Sequence, residues 1–339
     1  MKAYVIEKAI KPEELRACLQ TSAPAPKCGP KDVLVDVDSA GLNFFDILQI
    51  QDKYQVKPAK PYVLGTEFSG RISQQSPIPE GCMFQRGDYV FGAGQGSFAE
   101  QIAVEHDKLV PLPANVSMEE AAGLFITMPT SYAALVIRAN VQPGEWVLVH
   151  AAAGGVGLAA VQIAKALGAR VIACCSTQDK LDVAKRFGAD YGVNYATGKS
   201  GDWQNEVKKI TNGHGVDVVY DPVGMIVPSL KVAAWNCRLV VVGFAAGSIE
   251  KIPANLVLLK NVAVTGVHWG AYLRNEPEAV PQVWMGLLNM LSEGKIRGTV
   301  YDKLYHGLET VPEGLAALGS RGTWGKVIVK VNSSKQSKI

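Results

Sequence analysis

The sequence has few residues in arrangements that bind a metal ion. Its 339 residues include five histidines, which occur singly, and six cysteines, none of them in a C-x-x-C spacing. The neighbours Cys174 and Cys175 would point to opposite faces of a strand, so they cannot hold one ion together. Because a zinc site needs three or four ligands close to one another, we expect no metal centre.

Strong charge and long apolar runs are also lacking. The formal net charge is only +3, and no basic run is present, so the charge pattern does not favour nucleic-acid binding. No apolar run approaches membrane-spanning length. The first residues carry charge on both sides of a very short apolar piece and do not form a signal peptide. Together with the free thiols, these absences predict a soluble cytoplasmic protein.

The last three residues leave a second location open. Ser337-Lys338-Ile339 differ at one position from the Ser-Lys-Leu address of peroxisomal proteins. The polar residues before them are typical of a frayed tail. We therefore expect a cytoplasmic protein, with peroxisomal targeting as the alternative.

The chain is longer than one usual domain, and its pattern changes near Ser131. Before that point, short apolar runs alternate with glycine and proline, which is typical of a small β-barrel or sandwich. After it, apolar strands alternate with helices, which indicates a doubly wound parallel sheet. Among the predicted helices are residues 228–234 and a long one at residues 278–292.

A loop of small residues carries the clearest chemical signal. It follows the apolar strand Trp146-Val147-Leu148-Val149 and opens a helix of good helix formers, which Gly168 ends. Here the backbone can approach a ligand closely, and the helix N-terminus offers unpaired N–H groups and a favourable dipole. This combination favours the binding of a pyrophosphate.

The loop matches a dinucleotide-binding pattern with one departure. The pattern G-x-G-x-x-G corresponds to Ala152, Gly154 and Gly157, so alanine replaces the first glycine. The strand before the loop and the helix after it supply the expected context. The alternative is a turn whose glycines serve only packing.

The position that distinguishes NADH from NADPH follows the next strand. Ser176 lies 19 residues after Gly157, where an aspartate or glutamate would bind both ribose hydroxyls and repel a 2′-phosphate. The chain instead has Ser176, Thr177 and, beyond them, Lys180. Hydroxyls and an ammonium suit a phosphate, so we predict NADPH. The alternative is that Ser176 and Thr177 only cap the following helix.

Seven segments together resemble a known family. They are AGLNFFD (40–46), LGTEFSG (64–70), GDYVFG (87–92), TMPTSY (127–132), AAGGVG (152–157), YDPVG (220–224) and GKV (325–327). These segments resemble the medium-chain dehydrogenase/reductases, specifically their zinc-free quinone oxidoreductase (zeta-crystallin-like) branch. The resemblance covers nearly the whole chain.

The resemblance implies an α/β architecture of two domains and a homodimer. A GroES-like, β-rich barrel would form the catalytic domain over residues 1–130, completed by residues 269–339. A Rossmann domain with a doubly wound parallel sheet would bind NADPH over residues 131–268. Zinc-dependent relatives carry a cysteine and a histidine where this chain has Asn43 and Thr66, and neither replacement supplies a thiolate or an imidazole.

The same resemblance implies that three residues lie at the site of hydride transfer. Asn43 would orient the nicotinamide or the acceptor carbonyl, Tyr54 would donate a hydrogen bond to that carbonyl, and Thr130 would contact the nicotinamide carboxamide. The alternatives are an Asx-type turn at Asn43, a packed surface tyrosine and a helix N-cap at Thr130. Leu48 stands where related quinone reductases often carry a tyrosine, which favours an apolar acceptor.

The remaining predicted contacts belong to the cofactor. Ser176, Lys180, Tyr195 and Arg321 resemble the set around the 2′-phosphate and adenine, since a guanidinium can clamp phosphate and stack on a base. Other residues follow strands at the sheet edge where ligands bind. The predicted cofactor contacts are Asn43, Thr130, Ala153, Gly154, Gly155, Val156, Ser176, Lys180, Tyr195, Gly224, Gly243, Phe244 and Arg321.

The absence of a Lewis acid limits the chemistry. Oxidising an unactivated alcohol without a metal is hard, whereas a quinone or conjugated enone accepts hydride directly and spreads the charge. We therefore predict hydride transfer from NADPH to a quinone in an inter-domain cleft. One alternative is an alkenal, enone or enoyl double-bond reductase. Another is a non-catalytic NADPH-binding protein, structural or RNA-associated.

Overall fold

The computed structural model describes residues 1–197 and 201–331. The tripeptide Ser337-Lys338-Ile339 lies outside the described residues, so peroxisomal targeting stays a prediction. Contacts between residues divide the chain into two compact units, which are Met1–Ile126 with Gly298–Ile339, and Thr127–Arg297. Within the described ranges, no helix combines the length and apolarity needed to cross a membrane.

The regular elements are numbered in chain order. The strands are β1 (Ala3–Ile6), β2 (Leu19–Gln20), β3 (Asp32–Gly41), β4 (Tyr62–Val63), β5 (Glu67–Ile72), β6 (Tyr89–Ala93), β7 (Gln101–Glu105), β8 (Leu109–Pro111), β9 (Trp146–His150), β10 (Arg170–Cys175), β11 (Tyr191–Asn194), β12 (Val216–Asp221), β13 (Ala233–Val241), β14 (Ala263–Gly266), β15 (Tyr305–His306) and β16 (Ile328–Lys330). The α-helices are α1 (Phe44–Gln49), α2 (Met118–Ala121), α3 (Thr127–Tyr132), α4 (Gly155–Ala166), α5 (Gln178–Arg186), α6 (Asp202–Ile210), α7 (Ile226–Ser229), α8 (Ala254–Lys260), α9 (Tyr272–Asn275), α10 (Ala279–Ser292) and α11 (Val311–Gly319).

The first unit is built on a mainly antiparallel seven-stranded sheet. Its order is β15-β16-β3-β5-β6-β8, and β7 pairs with β3. Along β3, Val33, Val35 and Val37 point into a core that also holds Phe68 and Phe98, as the two-residue period of a strand requires. The C-terminal strand β16 pairs with β3 beside Gly41, so the end of the chain completes the sheet that its beginning starts.

The second unit contains a six-stranded parallel sheet. Its order is β11-β10-β9-β12-β13-β14, which is the 3-2-1-4-5-6 arrangement of a Rossmann fold. All five residues of β9 are buried, because a central parallel strand is covered on both faces by helices. The fold class predicted from the sequence is confirmed.

Two predictions about elements differ from the structure. The helix predicted at residues 228–234 is wrong, since α7 ends at Ser229 and β13 begins at Ala233, which pairs with Val216. The return to the first unit begins at Gly298 rather than at residue 269. The reason is that α10 packs against α3, so closely at Gly286 that a Cβ there would lie 2.2 Å from the Tyr132 hydroxyl.

Candidate functional site

Five strand ends in the second unit bring most of the predicted cofactor contacts to one sheet edge. The register pairs His150 with Cys174, and Cys175 with Asn194, so β9, β10 and β11 end level with one another. Strands β12 and β13 end at Asp221 and Val241, which are also paired. Beyond these ends lie Ala153, Gly154, Gly155, Val156, Ser176, Tyr195, Gly224, Gly243 and Phe244.

The loop after β9 is folded tightly on itself. Ala151 has a left-handed φ of 46°, and its carbonyl oxygen accepts the Gly154 N–H at 2.9 Å. A Cβ on Gly157 would lie 2.3 Å from that same oxygen, so only glycine fits there. Ala152 has no positive φ, which explains why alanine is tolerated at the first glycine of the pattern.

Helix α4 begins directly at this loop. Its N-cap is Gly154, which has no side chain to accept a hydrogen bond, so the N–H groups of the first turn point outward. The backbone of Ala152 and Ala153 also approaches the Cys175 thiol. Burial raises the pKa of that thiol to about 11, and the two N–H groups and Lys180 oppose the rise. The residues present therefore fit a pyrophosphate.

Three predicted 2′-phosphate contacts gather around the end of β10. Ser176 follows the strand and is half-buried, and the Tyr195 N–H donates to the Cys175 carbonyl oxygen at 3.1 Å. The cap of α5 is Thr177, whose hydroxyl accepts from the Lys180 N–H. Capping thus occupies the Thr177 hydroxyl and not that of Ser176.

Asp221 organises the loop after β12, a role that the sequence analysis missed. Its fully buried carboxylate accepts the N–H groups of Val223 at 2.9 Å and Gly224 at 3.0 Å. The loop after β13 then docks on this turn through the Ala245 N–H, which donates to the Pro222 carbonyl oxygen at 3.1 Å. The sequence signal for this role is an aspartate that ends an apolar strand directly before Pro-Val-Gly, where its side chain can accept hydrogen bonds from the turn.

A buried hydroxyl pair links α3 to this edge. Ser131 donates to the Val156 carbonyl oxygen at 2.9 Å and shares a 2.8 Å hydrogen bond with the Tyr220 hydroxyl. Both side chains are fully buried. Thr130 is the neighbour of Ser131 and lies inside α3, so its interpretation as a helix N-cap is wrong.

In the first unit, Asn43 belongs to a buried ionic cluster with Glu67 and Lys326. The Lys326 ammonium donates to Asn43 Oδ1 and Glu67 Oε2, both at 2.7 Å, and to the Leu42 carbonyl oxygen at 3.1 Å. Glu67 Oε1 accepts the Ile126 N–H at 2.9 Å. Glu67 and Lys326 are 0% and 3% exposed, and the sequence pattern predicted a role for neither residue.

Asp46 adds a second buried carboxyl to this region. Its Oδ2 accepts the Asn43 N–H at 2.7 Å, whereas its Oδ1 is buried without a hydrogen-bond partner. Burial raises the pKa of Asp46 to about 7, although the Asn43 N–H and Lys326 oppose the rise. The carboxyl is therefore partly protonated at neutral pH.

Tyr54 and Arg321 also belong to the first unit. The Tyr54 ring stacks on Phe45 with ring centroids 5.1 Å apart, and burial raises the pKa of its phenol. Arg321 is exposed after α11 with a left-handed φ of 59°. It lies in a different unit from Ser176, Lys180 and Tyr195.

In residues 1–197 and 201–331, no three His, Cys, Asp or Glu side chains come together as a metal site would require. The Glu67 carboxylate beside the Asn43 amide is engaged instead with the Lys326 ammonium. A cation already bound to Glu67 makes this carboxylate a poor metal ligand. The donor chemistry of the cluster therefore differs from that of a zinc site.

Two family models match the chain. The model of an alcohol dehydrogenase GroES-like domain matches residues 29–114, and the model of a zinc-binding dehydrogenase matches residues 155–288. The quinone oxidoreductase-like protein 2 homolog of Nematostella vectensis is 38% identical over 306 residues, covering 89% of this chain and 82% of that protein. The quinone oxidoreductase-like protein 2 of Rattus norvegicus is 37% identical over 320 residues, covering 92% and 88%.

Solved structures are similar over almost the full length. The quinone oxidoreductase of Escherichia coli, complexed with NADPH, has a TM-score of 0.84 and 29% identity and covers 97% of this chain and 100% of its own. The CurK enoyl reductase has a TM-score of 0.83 and 27% identity, covering 98% and 99%.

Proposed function

The chain belongs to the quinone oxidoreductase branch of the medium-chain dehydrogenase/reductases, and we propose that it is an NADPH-dependent quinone oxidoreductase that needs no metal ion. The observation that carries this proposal is the edge of the six-stranded sheet, where a glycine loop and the Ser176–Lys180 region follow neighbouring strands. In this proposal Thr127–Arg297 binds the cofactor, and the other unit supplies the acceptor side with Asn43 and Tyr54.

The choice of NADPH rests on the end of β10. Ser176 stands where an acid would exclude a 2′-phosphate, and Lys180 supplies positive charge nearby. The similarity to an Escherichia coli enzyme solved with NADPH supports the same cofactor. Ala153, Gly154, Gly155 and Val156 would hold the pyrophosphate, and Gly224, Gly243 and Phe244 would border the nicotinamide. Thr130, Tyr195 and Arg321 remain proposed contacts.

Replacing one lysine tests this choice. We expect Lys180→Met to weaken NADPH binding about tenfold and to leave NADH binding unchanged, because one phosphate contact is lost. Lys185→Met is the matched control, since Lys185 lies exposed on the same helix. A wild-type protein that prefers NADH would contradict the proposal.

The choice of a quinone as the acceptor rests on its ability to accept a hydride without a Lewis acid. NADPH supplies a hydride when bound, and a quinone accepts it directly, so the chain needs only to orient the acceptor and donate a hydrogen bond to its oxygen. The Tyr54 phenol, kept protonated by its raised pKa, suits that role. Activity that persists with a chelator is expected, and its loss would refute metal-free catalysis.

A double-bond reductase is the second candidate. It is favoured by the similarity to an enoyl reductase and by Leu48 in place of a polar tyrosine. Rates with a quinone and with an α,β-unsaturated ketone separate the two, because a rate confined to the ketone would exclude a quinone reductase. Tight NADPH binding with no oxidation by any acceptor would instead favour a non-catalytic, structural or RNA-associated protein.

A cytoplasmic homodimer completes the proposal. Strand β14 is the edge of its sheet. Leu258 and Leu259 are exposed just before it in the chain, and Trp235 is exposed on the neighbouring strand β13. Unpaired strand edges and apolar patches favour association with a second copy. We expect Leu258→Glu to convert a dimer into a monomer in sedimentation velocity, whereas a monomeric wild type would refute the dimer.

A further inference from the structure

The buried side chain of Lys326 holds the side chain of Asn43 in place within the first unit. The stem of Lys326 passes so close to Gly123 that a Cβ there would lie 2.9 Å from Lys326 Cγ. Its ammonium reaches Asn43 Oδ1 and Glu67 Oε2 at 2.7 Å each. With the Leu42 carbonyl oxygen as the third acceptor, every proton of the ammonium is used.

The charges allow only one orientation of the Asn43 amide. Asn43 Oδ1 faces the ammonium, and Asn43 Nδ2 lies 3.3 Å from Glu67 Oε2 and 3.3 Å from the Gly41 carbonyl oxygen. Turning the amide over would place its NH₂ against an ammonium and its oxygen against a carboxylate. Such like-polarity contacts are costly in a buried region where water does not screen them.

The two ends of the amide are held with unequal strength. The bond to Oδ1 is short and charge-assisted, whereas both contacts of Nδ2 are near the upper limit of a hydrogen bond. An incoming molecule can therefore accept a hydrogen bond from Asn43 Nδ2 without disturbing the hydrogen bond to Oδ1. Withdrawal of electron density by the ammonium also makes the NH₂ a better donor.

We propose that Lys326 is a positioning residue, which with Glu67 holds the Asn43 amide so that its NH₂ group is the end offered to the cofactor or the acceptor. This inference rests on the proposed function, because it assumes that Asn43 meets a bound molecule. Lys326 itself stays buried and contacts no substrate.

The decisive variant is neutral at both charged positions. Lys326→Met alone leaves Glu67 without its partner and can unfold the unit, whereas Lys326→Met with Glu67→Gln removes both charges and keeps an acceptor for the Ile126 N–H. We expect this double variant to melt within about 5 °C of the wild type and to bind NADPH within about threefold, measured by cofactor fluorescence. Its kcat should fall by roughly 10- to 100-fold, as expected when a reacting partner is misplaced.

Lys330→Met is the matched control. Lys330 ends β16, four residues after Lys326, and pairs with Glu119 rather than with Asn43, so the kcat of this variant should stay within about twofold of wild type. A double variant that matches the wild type in both kcat and melting temperature would overturn the proposal, because Lys326 would then serve stability alone.

A second readout does not depend on activity. The Asn43 side-chain ¹⁵N–¹H signals, assigned by their loss in Asn43→Ser, should form one sharp pair in the wild type and broaden in the double variant as the amide turns over. Unchanged signals would overturn the proposal. A wild type that binds NADPH but reduces no acceptor would refute the proposed function while leaving this measurement able to test the orientation.

Discussion

The two units bury their polar groups in different ways. Around Asn43 the first unit holds full charges, on Glu67 and Lys326, with almost no access to solvent. At its sheet edge the second unit buries one carboxylate, Asp221, which main-chain N–H groups satisfy without a cation. Elsewhere along this edge it relies on small residues and on the neutral hydroxyls of Ser131 and Tyr220. The first arrangement is sensitive to a loss of charge, whereas the second is sensitive to added volume.

The largest effect should come from breaking the charged arrangement. Glu67→Ala leaves the Lys326 ammonium without a carboxylate and the Ile126 N–H without its acceptor. We expect the free energy of unfolding to fall by about 3–5 kcal/mol in urea denaturation. Glu119→Ala, which removes a partly exposed carboxylate from Lys330, should cost about 1 kcal/mol or less. Equal losses would mean that burial does not distinguish the two pairs.

A single methyl group should break the second arrangement. Gly157→Ala places a Cβ 2.3 Å from the Ala151 carbonyl oxygen, so the loop must shift. We expect a loss of about 2–3 kcal/mol in the free energy of unfolding and at least tenfold weaker NADPH binding by fluorescence titration. In Gly270→Ala the nearest atom is 3.9 Å away, and this control should behave as wild type. Unaltered binding in Gly157→Ala would argue against a tight loop.

The buried carboxyl of Asp46 should make the stability of the first unit depend on pH in a different way from that of the second unit. Its pKa is raised from 3.8 to about 7, so the native state binds the proton more tightly, and stability should fall as pH rises between those values. His150 of the second unit acts in the opposite sense, because burial lowers its pKa to about 4 and stability rises as pH increases from there to its ordinary value. We expect Asp46→Asn to remove the first contribution, on the order of 2 kcal/mol, in unfolding curves recorded at pH 4 to 8. An identical pH profile in the variant would contradict this assignment.

The smallest effects should come from the neutral hydroxyl pair. Tyr220→Phe removes one buried hydrogen bond and leaves Ser131 bonded to the Val156 carbonyl oxygen, at a cost of about 1 kcal/mol. Ser131→Ala strands the Tyr220 hydroxyl without a partner and should cost about 2 kcal/mol. Thermal unfolding of both variants tests this order, and the reverse order would show that Tyr220 finds another acceptor.

The features that the sequence predicted are those governed by local rules. The glycine loop could be identified because a strand, small residues and a helix follow one another directly, and parallel pairing then brings Ser176 and Tyr195 to the same edge. The helix predicted at residues 228–234 failed because pairing with Val216 draws Ala233 into a strand, and local preference does not show this.

The cluster around Asn43 could not be predicted from any local rule. Lys326 and Glu67 are 259 residues apart in the chain, and neither has neighbours that mark it as buried. Only the pairing of β16 with β3 carries the lysine to its partners. Asn43 itself was predicted from family resemblance, and its dependence on a distant ammonium became visible only in the fold.

That late pairing has a consequence for how the protein is made. Thr127–Arg297 is complete before the final stretch of the chain leaves the ribosome, whereas the unit that begins at Met1 still lacks its last strands. Until then β3 has an open edge and Glu67 has no counter-ion, the kind of intermediate that invites contact with other nascent chains. The unit that begins earlier in the chain is therefore completed later, because its sheet closes only when the residues beyond Arg297 are available.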